Sequence, residues 1–290
     1  MKIGTYFAYW EREWDVDFFP YISKVASLGF DILEISGGGL ADLPDDKVIA
    51  LREEAKRCGV TLTACIGLPA CYDVSSENEE TRQNGLAYMK RILDKMELCG
   101  IHQIGGIIYA YWPVDYSKPV RKEIVREISI RRVRELADYA KPKDIMLTLE
   151  VVNRFEQFLF NDAKEAVQFV KDVDRDNVKV MLDSFHMNIE EDNFYDPIIT
   201  AGSYLGHYHI GEANRKVPGK GHIPWDEIGR ALRDIGYDGT VVMEPFVCMG
   251  GGVGADIKVW RDMSGGASPE QLDADIAESC RFVRETFCKS

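Results

Sequence analysis

DIMLTLEVV at 144–152, NVKVMLDSF at 177–185, YLGHYHIG at 204–211 and GTVVMEPF at 239–246 decide the fold. Each is a short, β-branched, apolar run of strand length. Each is followed by residues with helical periodicity: 162–172, 194–201, WDEIGRALRDIG ending at Gly236, and 268–286. The first half of the chain repeats the alternation. KIGTYFAY (2–9) precedes an amphipathic segment around 17–28. DILEIS (31–36) precedes a helix near 45–58, closed by Gly59. VTLTACIG (60–67) leads to a long helix that opens at a Ser76 cap and stops at Gly100, and IHQIGGIIYA (101–110) to one over 120–140. Strand–helix alternation makes a parallel sheet with right-handed crossovers, and eight such units close a barrel. No composition break divides the chain. The expectation is an α/β protein whose residues 1–290 form a single-domain (β/α)8, or TIM, barrel.

The same four runs carry an anomaly. Near its C-terminal end each holds one ligand-type residue: Glu150, Asp183, His209 and Glu244. Burying a lone carboxylate in an apolar strand costs several kcal/mol, roughly, so such groups meet a counter-charge or a metal. In a barrel the C-terminal strand ends and the loops after them form the catalytic face, so four consecutive strands would aim these side chains at one point. Three carboxylates and one imidazole suit Mn²⁺, Co²⁺ or Mg²⁺ better than a thiolate-bound structural zinc. Coordination positions left open would take adjacent oxygens of a substrate such as a 2-ketose, whose polarised carbonyl acidifies the neighbouring C–H.

Other polar residues follow the ligands closely. Asn153, Arg154 and Glu156 come after Glu150, His186 after Asp183, and Glu212, Asn214 and Arg215 after His209. His207 lies two positions before His209, hence on the same interior side and one layer deeper, where a packing or hydrogen-bonding role is expected. His102 opens a strand at the opposite end and is read as non-catalytic. Trp112 follows the fourth strand on the catalytic face, and Trp14 is read as a core aromatic. The GKG at 219–221 lacks the spacing of a phosphate loop and reads as a tight turn.

Composition narrows the field. The chain is 46% hydrophobic and 29% charged, in keeping with a full globular core, and its net charge of −13 opposes nucleic-acid binding. No apolar run approaches the ~20 residues of a membrane span. MKIGTYFAYW runs directly into a strand and charged residues, so no secretory leader is expected. Seven cysteines without a CxxC pair point to reduced thiols and a cytoplasmic protein, with Cys65 and Cys248 read as small buried hydrophobes.

LEVVNRFE (149–156), VKVMLDSFHMNIEED (178–192), GHYHIGEANRKVPGKG (206–221) and VVMEPF (241–246) resemble the ketose 3-epimerases, the family of D-tagatose and D-psicose (D-allulose) 3-epimerases. IGGIIYAYWPVDYSKPV (104–120) and DIKVWRDMSGGA (256–267) extend the likeness over essentially the whole length. The resemblance implies a Mn²⁺ or Co²⁺ ion held by Glu150, Asp183, His209 and Glu244. It also implies C3 epimerisation of a free ketohexose, D-fructose or D-psicose first, through a cis-enediolate. Glu150 and Glu244 would exchange the C3 proton from opposite faces, and Glu156, His186, Arg215, Tyr6 and Trp112 would contact the sugar. A homodimer or homotetramer is implied as well. The loops SGGGLADLP and GLPACYDVSS are expected to border the distal end of the sugar. Three other readings compete: an aldose–ketose or hydroxypyruvate isomerase on the same metal site, a zinc nuclease, and a non-catalytic sugar-binding protein.

Overall fold

The computed structural model describes residues 1–288. Eight parallel strands, β1 (Lys2–Tyr6), β2 (Ile32–Ser36), β3 (Thr61–Cys65), β4 (Gln103–Gly105), β5 (Met146–Glu150), β6 (Val178–Asp183), β7 (Leu205–Ile210) and β8 (Thr240–Met243), pair in chain order. β8 returns to β1 and closes the barrel, with Ile3 opposite Val241. The alternation read from the sequence is the architecture observed.

The outer layer consists of α1 (Phe19–Ser27), α2 (Gly37–Asp42), α3 (Asp45–Cys58), α4 (Glu79–Cys99), α5 (Lys122–Ala140) and α6 (Ala163–Val173) in the first part of the chain. It continues with α7 (Ser184–Glu190), α8 (Tyr195–Ala201), α9 (Trp225–Asp234), α10 (Gly251–Ile257) and α11 (Pro269–Phe287). Apolar faces explain the placement of the long helices: α4 buries Leu86, Met89, Ile92, Leu93 and Met96, and α9 buries Ile228, Ala231 and Leu232. Inside the barrel, side chains alternate by the strand period of two. Register sets Glu34 beside Thr63, Met181 beside His207, and Asp183 beside His209.

Several boundaries differ from the sequence reading, each for a local reason. α4 is capped by Asn78, whose Oδ1 accepts from the Thr81 amide at 3.0 Å; Ser76 lies two residues earlier and accepts from the Asn78 amide instead. β4 spans three residues because Gly106 turns the chain to φ +103°. Three short helices escape the periodicity. α2 arises from GGGLAD once Ser36 Oγ accepts from the Gly39 amide. α7 starts where Asp183 Oδ1 accepts from the Phe185 amide at 2.8 Å, so one strand end is also a helix cap. α10 grows from Gly251-Gly252, with the Val253 amide donating to Arg12 O.

Gly106 is required sterically as well as conformationally. A Cβ there would stand 2.3 Å from Ile66 O, whereas one on Gly59 (φ +70°) would meet nothing within 4 Å. Gly106→Ala should therefore destabilise the barrel by roughly 2–4 kcal/mol, combining backbone strain with a collision. Gly59→Ala should cost about 1 kcal/mol, from φ alone. Thermal unfolding of the two variants measures the difference, and equal losses would refute the steric account.

Candidate active site

The barrel brings the four strand-end residues together. One ligand atom each from Glu150, Asp183, His209 and Glu244 lies within 4.8 Å of all the others, and all four residues are buried. β5, β6 and β7 end on or next to the first three, and Glu244 stands one residue past β8, its amide still donating to Ile210 O. Above them opens a pocket of about 610 Å³ whose wall includes Glu156, His186, Arg215, Tyr6 and Trp112. Every residue expected to hold a metal or touch a sugar is at this one site.

The donor set passes a direct test of fit for a cation. His209 Nε2 bonds Glu34 Oε1 at 2.5 Å, which leaves Nδ1 facing Glu244 Oε1 at 3.5 Å and Glu150 Oε1 at 4.0 Å. Nδ1 is buried and has no hydrogen-bond partner. A buried ring nitrogen set among three carboxylates could serve as a metal ligand. The nearest positive side chain is Arg215, whose Nη1 lies 2.9 Å from Glu244 Oε2 and 3.2 Å from Asp183 Oδ2. One guanidinium against three carboxylates leaves an excess of negative charge that a divalent ion would balance.

The two glutamates are driven apart electrostatically. Burial pushes the Glu150 carboxyl well above the ordinary carboxylate range, and the Glu244 charge pushes it further. Glu244 feels the same burial, but His209 and Arg215 outweigh it and hold its pKa below the ordinary value. At His209, burial opposes the charge, yet Glu34 and Glu244 raise its pKa well above that of a free imidazole. A bound cation would reverse these preferences by favouring ionised oxygens and a neutral ring.

The pocket wall is pre-arranged by its own hydrogen bonds. Asn153 Nδ2 donates to Glu156 Oε1 at 3.0 Å and approaches His186 Nδ1 at 2.8 Å. The Asn153 amide also donates to His186 Nδ1, so that nitrogen is the acceptor and Nε2 carries the proton. His186 Nε2 points toward Asp183 Oδ2 at 3.7 Å and Glu150 Oε1 at 3.9 Å. Trp112 Nε1 donates to Glu156 Oε2 at 2.9 Å, and the indole lies against Gly67, where a Cβ would come 2.8 Å from the ring. Arg215 adopts φ +62° and lays its guanidinium 3.7 Å from the Phe185 ring centroid, fixing it in plane. Tyr6 packs edge-on against Phe246.

Other residues near the ligands in sequence turn elsewhere. Glu212 is fully buried below the 217–225 loop, accepting from the Gly219 and Ile223 amides and from Trp225 Nε1, so it secures the loop. Arg154 pairs with Glu190 on the exterior, Asn214 caps its own turn, and His102 bonds Asp144 O at the far end of β4. The 219–221 segment is a turn, as its sequence suggests. Cys65 is buried in the pocket wall and Cys248 half-buried, and all seven cysteines are free. Trp14, read as a core aromatic, instead lines the pocket and donates to Asp256 at 2.8 Å. The loops after β2 and β3 border the pocket through Ser36, Gly38, Asp42, Ile66 and Pro69.

Two contributors escape a reading of the sequence. Asn153 reads only as a neighbour of Glu150. Glu34 goes unread although DILEIS carries the same signal as the other four runs, an ionisable residue inside an apolar strand. It is fully buried and accepts from Thr63 Oγ1 at 2.8 Å while contacting His207 Nε2 at 3.1 Å and His209 Nε2. Burial opposes its charge, but His209 and His207 outweigh it and hold the carboxyl far below its ordinary range.

Comparison with known proteins places the chain in a family. Residues 22–283 match the family model described as xylose isomerase-like TIM barrel. The chain is 51% identical to the D-psicose 3-epimerase of Agrobacterium fabrum over 284 residues, covering 98% of each chain. It superposes on a crystal structure of D-psicose 3-epimerase in the presence of D-fructose with TM-score 0.98 and 50% identity, covering 100% of both chains. A D-psicose 3-epimerase with D-tagatose from Clostridium cellulolyticum H10 gives TM-score 0.98 and 52% identity over 99% of each chain. The chain is thus an enzyme of the ketose 3-epimerase family.

Proposed function

We propose that residues 1–290 act as one catalytic unit that epimerises free ketohexoses at C3, interconverting D-fructose and D-psicose, with Mn²⁺ or Co²⁺ as cofactor. The observation that carries the reading is the pair Glu150 and Glu244, two buried carboxylates meeting at the unpartnered His209 Nδ1. Glu150, Asp183, His209 and Glu244 would hold the ion. When bound, it supplies Lewis-acid polarisation of the ketose carbonyl, which acidifies the C3–H.

The remaining steps belong to the chain's own side chains. One of the two glutamates removes the C3 proton, giving a cis-enediolate, and the other returns a proton to the opposite face. Inversion requires two groups, since a single base returns the proton to the side from which it came. Their roles exchange with the direction of reaction. Arg215 and the Nε2–H of His186 are aimed at the oxygens on which enediolate charge develops. Glu156, fixed by Asn153 and Trp112, accepts from a sugar hydroxyl. Tyr6 and Trp112 supply apolar wall. Among the described residues the pocket lining holds Arg215 and no cluster of cations, which favours an unphosphorylated sugar. The protein is proposed to be cytoplasmic and to assemble as a homodimer or homotetramer; among the described residues no helix is long and apolar enough to cross a membrane.

Glu150→Gln and Glu244→Gln should each lower kcat for D-psicose formation from D-fructose by ~10²–10⁴-fold, the usual contribution of a general acid–base group. Circular dichroism and thermal unfolding should remain those of a folded barrel. In D₂O the wild-type product should carry deuterium at C3; label at C2 of an aldose would assign an isomerase instead, and no exchange at any carbon of any ketose would leave a binding protein.

Metal binding should depend on pH with a defined sign. Glu150 and His209 both have raised pKa values, so the stability they contribute in chelator-treated protein is fully present below their unfolded-state values. It is lost as pH climbs through the folded-state values, while a cation displaces both protons. The rise in Tm produced by Mn²⁺ should therefore be small in acid and grow toward neutrality. Calorimetry should detect proton release on binding; an increment independent of pH would contradict this account.

A further inference from the structure

His207, Thr240 and Gln103 form a buried polar line beneath the metal-ligand cluster. His207 Nδ1 lies 2.6 Å from Thr240 Oγ1, which in turn lies 3.1 Å from Gln103 Oε1. Gln103 Nε2 is buried beside them without a partner. Amide oxygen and nitrogen are assigned by their hydrogen bonds, and turning the Gln103 amide over places its NH₂ against Thr240 Oγ1 and frees the hydroxyl proton for His207. Gln103 then donates to Thr240, the Thr240 hydroxyl donates to His207 Nδ1, and His207 Nε2–H donates to Glu34 Oε2. Thr63 Oγ1 also donates to Oε2 at 2.8 Å, and His209 Nε2–H donates to Oε1 at 2.5 Å. All donors in the line converge on one fully buried carboxylate.

We infer that Glu34 is a positioning residue for the metal site: its carboxylate holds His209 in the Nε2–H tautomer and turns Nδ1 into the ligand cluster. The other oxygen of Glu34 is taken by His207 and Thr63, so Oε1 is the atom left for the His209 ring. Rotating His209 away from Glu34 would strand both a carboxylate oxygen and an N–H inside the barrel, which the interior penalises heavily. The carboxylate also raises the basicity of the ring nitrogen that faces the ligands. Glu34 does not line the pocket, and among the four clustered residues its hydrogen bond is to His209. The inference rests on the proposed metal site.

Glu34→Gln keeps the side-chain shape but sets an amide N–H against an imidazole N–H. The Kd for Mn²⁺, read by calorimetry or electron paramagnetic resonance without sugar, should rise ~10–100-fold, as is usual when the partner of a ligating histidine is lost. At saturating Mn²⁺ the KM for D-fructose should be unchanged. A folded variant with wild-type Mn²⁺ affinity would overturn the inference while leaving the metal site intact. Wild-type protein that binds no Mn²⁺ would remove the metal site and the inference together. If the variant does not fold, ¹⁵N-histidine NMR of the wild-type, Mg²⁺-loaded protein decides: a proton on His209 Nε2 supports the assignment, and one on Nδ1 overturns it.

Discussion

Acidic side chains held out of water at the end of a β-barrel dictate much of what surrounds them. Glu34, Glu150, Asp183 and Glu244 are all buried, and each ionised carboxylate in such a place needs compensation worth several kcal/mol, roughly. The molecule supplies it unevenly. Glu34 is fully matched, by two imidazoles and a hydroxyl. Glu244 and Asp183 share the Arg215 guanidinium, which is held in a left-handed backbone conformation between two aromatic rings. Among the described residues Glu150 has no cation within ion-pair distance other than the two histidines, and burial together with the Glu244 charge raises its pKa. The deficit is concentrated at the point where four ligand atoms converge.

That unevenness distinguishes a structural polar core from a reactive one. Where every donor and acceptor is paired, as around Glu34, the network fixes one arrangement and resists change. Where pairing stops short, the same low-dielectric surroundings strengthen whatever charge enters from outside. The two regimes share His209, one nitrogen in each. The boundary between scaffold and chemistry therefore runs through a single imidazole ring.

The fold was readable because barrel strands and helices write their periods into the sequence, and because each ligand interrupts an apolar run. The convergence of Glu150, Asp183, His209 and Glu244 is legible in the sequence, since a strand end in a closed barrel has only one face on which to converge. The limits were equally physical. DILEIS reads as a strand, yet its acid sits mid-strand, and its meaning depends on two histidines about 175 residues away in sequence. Glu212 shows the converse. It follows a ligand strand and has the right chemistry, but three donors from its own loop and the helix after it claim its oxygens. Adjacency in sequence gave no hint of that direction.

Short helices were the other loss, and their cause bears on the site. α7 begins on Asp183 because its carboxylate caps the Phe185 amide with one oxygen while the second faces Arg215. A local capping bond thus orients a side chain that sequence reasoning treats only as a ligand. The same helix then carries His186 and Phe185 to the two sides of the pocket floor, the first toward Glu150 and the second beneath Arg215. No 3.6-residue pattern is needed for a seven-residue helix whose existence is decided by its cap and by its landing place on the barrel. Specification by periodicity gives way to specification by hydrogen bonding where the chain passes from scaffold to site, and these are the positions at which a sequence is hardest to read.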